Sequence, residues 1–316
     1  MKLRHRRCEA LIGGYARVLT AAACFAAAAA PVHSQAATVA PQPKAVDSFD
    51  SGILHVDQYG SGPKTLVFIP GLASGTWSWY EQIAKFSPSY TIYAIELPGF
   101  NGRPAAAQTN LFDTFSHDFF SMLVERRIVK PVVIGHSLGG TLAILLAERR
   151  ANALSGIVAV DGLPVFPTAA QSTAQERKAL ADRMAATIAG MDHDQMLAGQ
   201  RQYMRAIGTT DGSFAAQLAS LTAKSDSNAV AAWMREDLES DLRPDLANIT
   251  IPFLEIMPYA APSPYSQRDT LSFYRMLLNG APHVEIVPIS PARHYVMLDQ
   301  PQQFDDALTR FLSTLQ

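Results

Sequence analysis

This sequence has few cysteines and no runs of basic residues. Only two of its 316 residues are cysteines, Cys8 and Cys24, and Lys and Arg (26) nearly balance Asp and Glu (28). Because both cysteines lie near the start, the rest of the chain has neither disulfides nor thiol chemistry. A slightly acidic chain without basic runs is poorly suited to bind nucleic acid or anionic membrane surfaces. We therefore expect a small-molecule partner.

Residues 1–36 have the features of a secretory signal peptide. Basic residues near the start precede an alanine-rich apolar stretch at 18–30, which is too short to span a membrane comfortably. We expect cleavage after Ala36, no membrane span, and a periplasmic or secreted protein. A lipid anchor at Cys24 is the minority alternative. The segment carries five Lys or Arg and one Glu, so the remaining chain has a formal charge of about −6.

Beyond residue 50, short apolar runs alternate with helical patterns, after a Pro-containing stretch at 37–50 that we interpret as a flexible lead-in. Most runs are continuous in Val, Ile, Leu and Phe, which is typical of parallel strands covered by helices on both faces. The predicted strands lie at 52–56, 65–69, 91–95, 132–134, 156–160, 253–256 and 284–289. The predicted helices of this part lie at 112–127, 137–150, 266–279 and 301–314. The fold class is α/β with a mostly parallel, doubly wound sheet.

The interval between the fifth and sixth of these runs lacks a good strand pattern. Its spacing is helical around 171–190, 192–206 and 213–240. We predict that residues 165–247 form a helical cap inserted into a core made of 51–164 and 248–316. Such a cap would lie over the carboxyl edge of the sheet, where ligands bind in this architecture.

Residues 135–139 read Gly-His-Ser-Leu-Gly, directly behind the apolar run 131–134 and directly ahead of a helical pattern. Strand, tight turn and helix in this order are the context of a nucleophile elbow. Side chains two positions on either side of Ser137 would collide with strand or helix, which explains the glycines. Ser137 is the predicted nucleophile.

A serine nucleophile needs a base and an oxyanion hole. His294 lies in the loop after the last strand pattern and before the last helix, where a base belongs, and we assign it that role. The backbone N–H of Leu138, at the start of a helix, is the first predicted oxyanion donor. The Leu72 N–H is the second, because Gly71 before it lets the backbone approach the substrate closely.

These residues together resemble the α/β-hydrolase family. The matching segments are 70–72 with Trp77, 97–100, 135–140, 241–244, and His294 with Pro301 and Phe304. The resemblance covers essentially the whole chain after the signal segment. It implies an eight-stranded, mostly parallel sheet with helices on both faces and an inserted helical cap. It also implies hydrolysis through an acyl-enzyme, usually without a cofactor, and we predict no metal site.

The carboxylate behind His294 departs from the usual pattern of the family. Many relatives place Asp shortly after the strand written here as 251–256, but residues 257–264 contain no carboxylate. The next acid, Asp269, comes later and on a predicted helix. Asp161 directly follows the strand at 156–160, a place that some members of the family use, and it preserves the order serine, acid, histidine. We favour Asp161 as the acid and keep Asp269 as the alternative.

The sequence thus predicts a secreted serine hydrolase that cleaves a small, fairly apolar carboxylic ester through an acyl-enzyme on Ser137. Amide, lactone or carbon–carbon bond hydrolysis and acyl transfer use the same residues and stay open. A binding protein that keeps the fold without turnover is the alternative from another class. The sequence does not indicate the oligomeric state.

Overall fold

The structure is a computed structural model that describes residues 38–107 and 109–315. The proposed signal segment, its cleavage site, Cys8 and Cys24 lie outside the described residues. Within the described ranges, no helix is long and apolar enough to cross a membrane.

A single sheet of eight strands runs through the described part of the chain in the order β1-β2-β4-β3-β5-β6-β7-β8. Pairs β1–β2 and β2–β4 are antiparallel, and all later pairs are parallel. The strands are β1 (Asp47–Ser51), β2 (Leu54–Tyr59), β3 (Lys64–Ile69), β4 (Tyr90–Glu96), β5 (Val132–His136), β6 (Gly156–Val160), β7 (Phe253–Pro258) and β8 (Val284–Ile289). This is the mostly parallel, doubly wound sheet that the sequence predicts.

Strand β1 differs from the expectation for this part of the chain. The sequence assigns residues 47–50 to a flexible lead-in, whereas they pair with β2, with Asp47 opposite Gln58 and Ser51 opposite Leu54. The strand is largely exposed and reads Asp-Ser-Phe-Asp-Ser. A polar strand at the edge of a sheet carries little of the apolar pattern that marks a buried strand.

Helices cover both faces of the sheet. The α-helices are α1 (Tyr80–Phe86), α2 (Leu111–Glu125), α3 (Leu138–Arg150), α4 (Ala174–Ile188), α5 (His193–Tyr203), α6 (Gly212–Thr222), α7 (Ser227–Glu239), α8 (Gln267–Leu277), α9 (Val296–Asp299) and α10 (Pro301–Thr314). A short π-helix, Met204–Gly208, continues α5. The central strands are buried along their whole length; β5 and β6 have no exposed residue. Because these strands pair in parallel, the carboxyl ends of β3, β5, β6, β7 and β8 lie at one edge of the sheet.

Helices α4 to α7 follow one another between β6 and β7, in the interval 165–247 where the sequence predicts a cap. An isolated bridge between Val165 and Asp241 closes the base of this insertion. Each helix begins at a residue whose side chain accepts a hydrogen bond from the first turn. These capping residues are Thr173, Asp192, Asp211 and Asp226. The single helix expected at 213–240 is two helices, because the chain turns before Asp226 and Asp226 caps α7.

Candidate active site

Ser137 lies at the sharp turn between β5 and α3. Its backbone has φ 52° and ψ −120°, a region that residues other than glycine rarely adopt. The turn is held on both sides: the Ser137 N–H donates to the Val160 carbonyl at 2.9 Å, and its carbonyl accepts from the Gly140 N–H at 2.8 Å. The strained backbone is therefore fixed by the neighbouring strand and by the first turn of α3.

Two close backbone approaches explain the glycines around this turn. A Cβ added to Gly135 would lie 1.9 Å from the Gly139 carbonyl oxygen. Across to the next strand, a Cβ on Gly162 would lie 2.5 Å from the Cα of Gly140. Real side chains do not tolerate such distances, so only glycine lets β5, α3 and the turn after β6 meet here. The second contact draws the turn that carries Asp161 against the elbow.

The loop after β3 packs against Ser137. A Cβ on Gly71 would lie 3.2 Å from the Ser137 Cβ and 2.8 Å from His136 Nδ1. The loop is folded tightly, since the Ser74 N–H donates to the Gly71 carbonyl at 3.0 Å. Leu72 follows Gly71 and Leu138 follows Ser137, so both backbone N–H groups chosen as oxyanion donors belong to segments that meet at the serine.

Asp161 and His294 are in direct contact. Asp161 immediately follows β6, has φ 51°, and donates its N–H to the Ile256 carbonyl at 3.0 Å. Its Oδ2 lies 2.5 Å from His294 Nδ1. A carboxylate accepts this bond only from a protonated Nδ1, so the neutral ring has its lone pair on Nε2. Both side chains are mostly but not fully buried.

Asp269 lies apart from this pair. It occupies the first turn of α8, where Ser266 caps the helix: the Asp269 N–H donates to Ser266 Oγ at 3.1 Å, and Ser266 Oγ donates to Asp269 Oδ2 at 2.8 Å. An acidic side chain in the first turn of a helix is favoured by the helix dipole. The structure thus brings Asp161, and not Asp269, to His294.

Three aromatic rings surround the His294 imidazole. His136 lies 4.5 Å away between ring centroids, and its Nε2–H donates to the His294 carbonyl at 3.0 Å. Burial holds the pKa of His136 well below its usual value, so this ring is neutral. Tyr203, the last residue of α5, meets His294 edge to face at 6.0 Å, and Tyr295 does so at 5.8 Å. Tyr203 therefore brings the cap directly to the predicted base.

The backbone around His294 is bonded to the π-helix of the cap. The His294 N–H donates to the Ile207 carbonyl at 3.1 Å, and the Tyr295 N–H to the Gly208 carbonyl at 2.9 Å. The carboxylate of Asp299 in α9 accepts from the Arg293 N–H at 2.8 Å and from the Thr210 N–H at 3.0 Å. It also accepts the hydroxyl of Thr209. Single π-helical turns often occur at functional sites, and here the π-helix is hydrogen-bonded to the loop that carries His294.

The described residues contain no group of three or more His, Cys, Asp or Glu side chains arranged to hold a metal ion. The groups that the site offers for chemistry are the Ser137 hydroxyl, the His294 imidazole and the Asp161 carboxyl group.

With this geometry established, comparison with known proteins becomes informative. A sequence model of the alpha/beta hydrolase family matches residues 66–307, which include both sides of the insertion and the insertion itself. The chain belongs to the alpha/beta hydrolase family.

Three known proteins show how similar individual relatives are to this chain. The 2-succinyl-6-hydroxy-2,4-cyclohexadiene-1-carboxylate synthase of Escherichia coli is 30% identical over 127 residues, which cover 40% of this chain and 50% of the synthase. The chain thus spans about half the length of the first of the curated relatives that it matches. The sn-1-specific diacylglycerol lipase ABHD11 of Mus musculus is 26% identical over 270 residues, 78% of this chain and 80% of the lipase. The enol-lactonase of Burkholderia xenovorans superposes with a TM-score of 0.62 at 19% identity, over 82% of this chain and 96% of the lactonase, and shares its fold.

Several residues of this family member escaped sequence reasoning. The Tyr274 hydroxyl, from α8, donates to Asp161 Oδ1. Glu255 lies fully buried in β7, and its pKa is raised well above the usual range, first by burial and then by the charge of Asp161. Neither has a local pattern that marks it, because their contacts come from separate elements. Asp299 is only five residues from His294, but its partners in the cap lie far away in sequence.

The two tryptophans after the β3 loop pack rather than line an open pocket. Trp77 is nearly buried and stacks on Tyr295 at 6.0 Å between centroids, and Trp79 is fully buried against Phe68 and Phe304. Through these contacts the two tryptophans pack against the core and against Tyr295, the residue that follows His294.

Proposed function

We propose that the protein is a serine hydrolase that cleaves small, fairly apolar carboxylic esters through an acyl-enzyme on Ser137. The contact of 2.5 Å between Asp161 Oδ2 and His294 Nδ1 carries this proposal, because it fixes the tautomer in which Nε2 is the free base. A histidine that only filled space would not need a carboxylate at that nitrogen.

In the proposed mechanism, Ser137 Oγ attacks the acyl carbon while its proton passes to His294 Nε2. The tetrahedral intermediate collapses as the imidazolium returns this proton to the departing alcohol. A water molecule, activated by the same Nε2, then attacks the acyl carbon and releases the carboxylic acid and free Ser137. Asp161 stays ionised throughout and offsets the positive charge of the imidazolium.

The oxyanion of each intermediate is stabilised by the backbone N–H groups of Leu138 and Leu72. Support comes from the position of Gly71 against Ser137, which gives the loop before Leu72 access to the serine. Leu138 begins α3, so the partial positive charge at that helix end adds to its hydrogen bond. Removing one donor of this kind costs about 10²- to 10³-fold in kcat.

The choice of ester rests on the surroundings of the site and on the relatives. Tyr203 packs on the His294 ring. Leu72, Leu138 and Met204 follow Gly71, Ser137 and Tyr203 directly in the chain and belong to, or pack against, the apolar clusters. One relative is named a diacylglycerol lipase and one structural neighbour an enol-lactonase, and hydrolysis of an amide or of a carbon–carbon bond stays the competing outcome. A panel of p-nitrophenyl esters of increasing acyl length, with a lactone and an anilide of matched size, separates these substrate classes. We expect the short esters to give the highest kcat/KM.

A binding protein without turnover is separated from an enzyme by a fluorophosphonate probe. We expect the folded protein to be labelled on the peptide that contains Ser137, and Ser137→Ala to be unlabelled with an unchanged melting temperature. Heat-denatured protein is the control for nonspecific reaction. Folded protein that takes up no label would refute the serine hydrolase.

We also propose that the protein is exported to the periplasm or secreted, with its signal peptide removed near Ala36. The basic start and the short apolar stretch of residues 1–36 support this. N-terminal sequencing of the mature protein from a fractionated bacterial host tests it; an intact N terminus in the cytoplasmic fraction is the contrary result.

A further inference from the structure

The carboxylate of Asp161 has both of its oxygens engaged by side chains from distant parts of the chain. Oδ2 accepts from His294 Nδ1, and Oδ1 accepts from the Tyr274 hydroxyl. Asp161 also has a left-handed backbone conformation, which is strained for a residue other than glycine, and this turn does not by itself fix the orientation of the side chain. The second hydrogen bond selects one orientation of the carboxylate, with Oδ2 directed at the histidine.

Tyr274 is rigidly placed for this contact. It lies in the middle of α8, is only 4% exposed, and packs edge to face on Phe273 at 6.5 Å. It belongs to the same apolar cluster as Phe253 and Met257 of β7. A buried tyrosine hydroxyl needs a partner, and a carboxylate is a strong one because the bond is charge-assisted.

A second carboxyl group lies behind this pair. Glu255 is adjacent in the sheet to Ala159, two residues before Asp161, and shares one face of β7 with Phe253 and Met257, so its side chain points toward the cluster that contains Tyr274. It is 0% exposed, and within the described ranges no side chain donates a hydrogen bond to either of its oxygens. Burial raises its pKa well above the usual range, the charge of Asp161 adds to this, and the Gly162 N–H offsets only part.

Two neighbouring carboxyl groups in an apolar site do not both ionise. The negative charge stays on the one with donors, and Asp161 has two side-chain donors whereas Glu255 has none. We propose that Tyr274 is a positioning residue for the predicted catalytic acid: its hydroxyl holds Oδ1 of Asp161 and thereby directs Oδ2 at His294. This inference rests on the proposed function.

Several other titratable groups face this pair from the elements packed around it. His136 comes from β5, Tyr203 from α5, and Tyr295 from the histidine loop itself. His136 is neutral because burial lowers its pKa, and burial raises the pKa of Tyr203 and brings that of Tyr295 to about 12. Each of these directions favours the uncharged form of the side chain, so we attribute a shift of the acidic limb of the kcat/KM profile against pH to the Asp161–His294 pair.

Replacing Tyr274 by Phe removes the hydroxyl and keeps the ring. The Asp161 carboxylate then carries more negative charge toward His294, stabilises the imidazolium more strongly, and moves the acidic limb of the kcat/KM profile to higher pH. We expect a shift of about half a pH unit and a loss of about tenfold in kcat/KM at neutral pH, as for one charge-assisted hydrogen bond. Tyr93→Phe is the matched control, since this nearly buried tyrosine packs on Phe49, away from the site.

A double-mutant cycle shows whether Tyr274 acts through Asp161. We expect Tyr274→Phe to cost about tenfold alone and less than about twofold when added to Asp161→Asn. Equal losses in both backgrounds with an unmoved acidic limb would show that Tyr274 only supports packing, and would overturn the inference.

A second variant avoids any failure of Tyr274→Phe to fold. Site-specific replacement of Tyr274 by 3-fluorotyrosine keeps the shape and makes the phenol a stronger donor. The acidic limb then moves to lower pH, opposite to the effect of Phe; an unchanged profile would contradict the proposal. Failure of the proposed function itself is separate, because it would appear as absent Ser137 labelling in the wild type.

Discussion

The two halves of the proposed site are built in different ways. The serine half is a backbone construction: Ser137 lies at one turn, and its geometry follows from strand β5, helix α3 and the missing side chains at Gly135 and Gly162. The acid–base half is made by side chains from separate elements, with Asp161 after β6, Tyr274 on α8 and His294 in the loop before α9.

This difference determines how each half responds to change. The serine half depends on close contacts between backbone segments, so it tolerates no added atom at these contacts. It does not depend on side chains from distant parts of the sequence. The acid–base half tolerates conservative exchange of a side chain, but each of its members depends on contacts made far away in sequence. Mutations of the glycines in the serine half should therefore act on folding, and mutations in the acid–base half on catalysis.

The largest expected effect is that of Gly135→Ala. The new Cβ would lie 1.9 Å from the Gly139 carbonyl oxygen, so β5 and α3 have to move apart. We expect the free energy of unfolding to fall by about 3 kcal/mol or more, with loss of fluorophosphonate labelling. Gly199→Ala is the control, because nothing lies within 4 Å of the added atom in the exposed α5; it should stabilise the protein by about 0.5–1 kcal/mol. Chemical denaturation measures both.

The next effect is that of Asp161→Asn, which keeps the shape and removes the charge. An Asn at this position favours the wrong histidine tautomer, so kcat should fall by roughly 10³- to 10⁴-fold with little change in melting temperature. Asp269→Asn, which alters only the first turn of α8, should stay within about twofold of the wild type. A large loss for Asp269→Asn would reverse the assignment of the acid.

Asp299→Asn tests whether the cap helps to place His294. The exchange weakens the acceptor of the Arg293 and Thr210 N–H groups, which join the histidine loop to the cap. We expect kcat to fall by about tenfold while KM for a short ester changes little. Asp306→Asn is the control, because its carboxylate accepts a hydrogen bond from the exposed Gln302 in the same helix and does not join the cap to the histidine loop. A change confined to KM would indicate that the contact serves the cap and not the base.

The last effect concerns Glu255, and it is one of stability and not of catalysis. Since its pKa is raised on folding, the folded protein keeps a proton that the unfolded chain releases above about pH 4.3. This group therefore makes the protein less stable as the pH rises, at a limiting slope of about 1.4 kcal/mol per pH unit. Glu255→Gln lacks this decline, so the variant should gain stability over the wild type between about pH 5 and pH 7. Urea unfolding across this range measures the gain, with Glu285→Gln on β8 as the matched variant. A difference that stays constant with pH would contradict a protonated Glu255.

The sequence was most informative where structure is local. The elbow around Ser137 spans a few residues between an apolar strand and a helix, so its motif predicts its geometry. Most of the sheet followed from continuous apolar runs, but β1 did not, because an exposed edge strand such as Asp47–Ser51 carries no apolar run. The break before Asp226 was missed since both flanking helices have the same apolar spacing.

The acid–base half was harder to predict because its contacts are made in three dimensions. Asp161 was favoured by its place after β6 and by the missing carboxylate after β7, and the structure brings it to His294; its catalytic role stays a prediction. Tyr274, Glu255 and Asp299 were missed. Each lies in an ordinary helix or strand pattern, and its importance arises only from what it meets across the fold.

The most direct test of the account is a proton NMR measurement of the hydrogen bond at His294 Nδ1 in protein with ¹⁵N-labelled histidine. The account predicts a far-downfield proton on this nitrogen at low pH. The resonance should be absent from His294→Gln and Asp161→Asn and retained in Asp269→Asn. A resonance that survives Asp161→Asn and disappears in Asp269→Asn would contradict the assignment of Asp161 as the partner of the base.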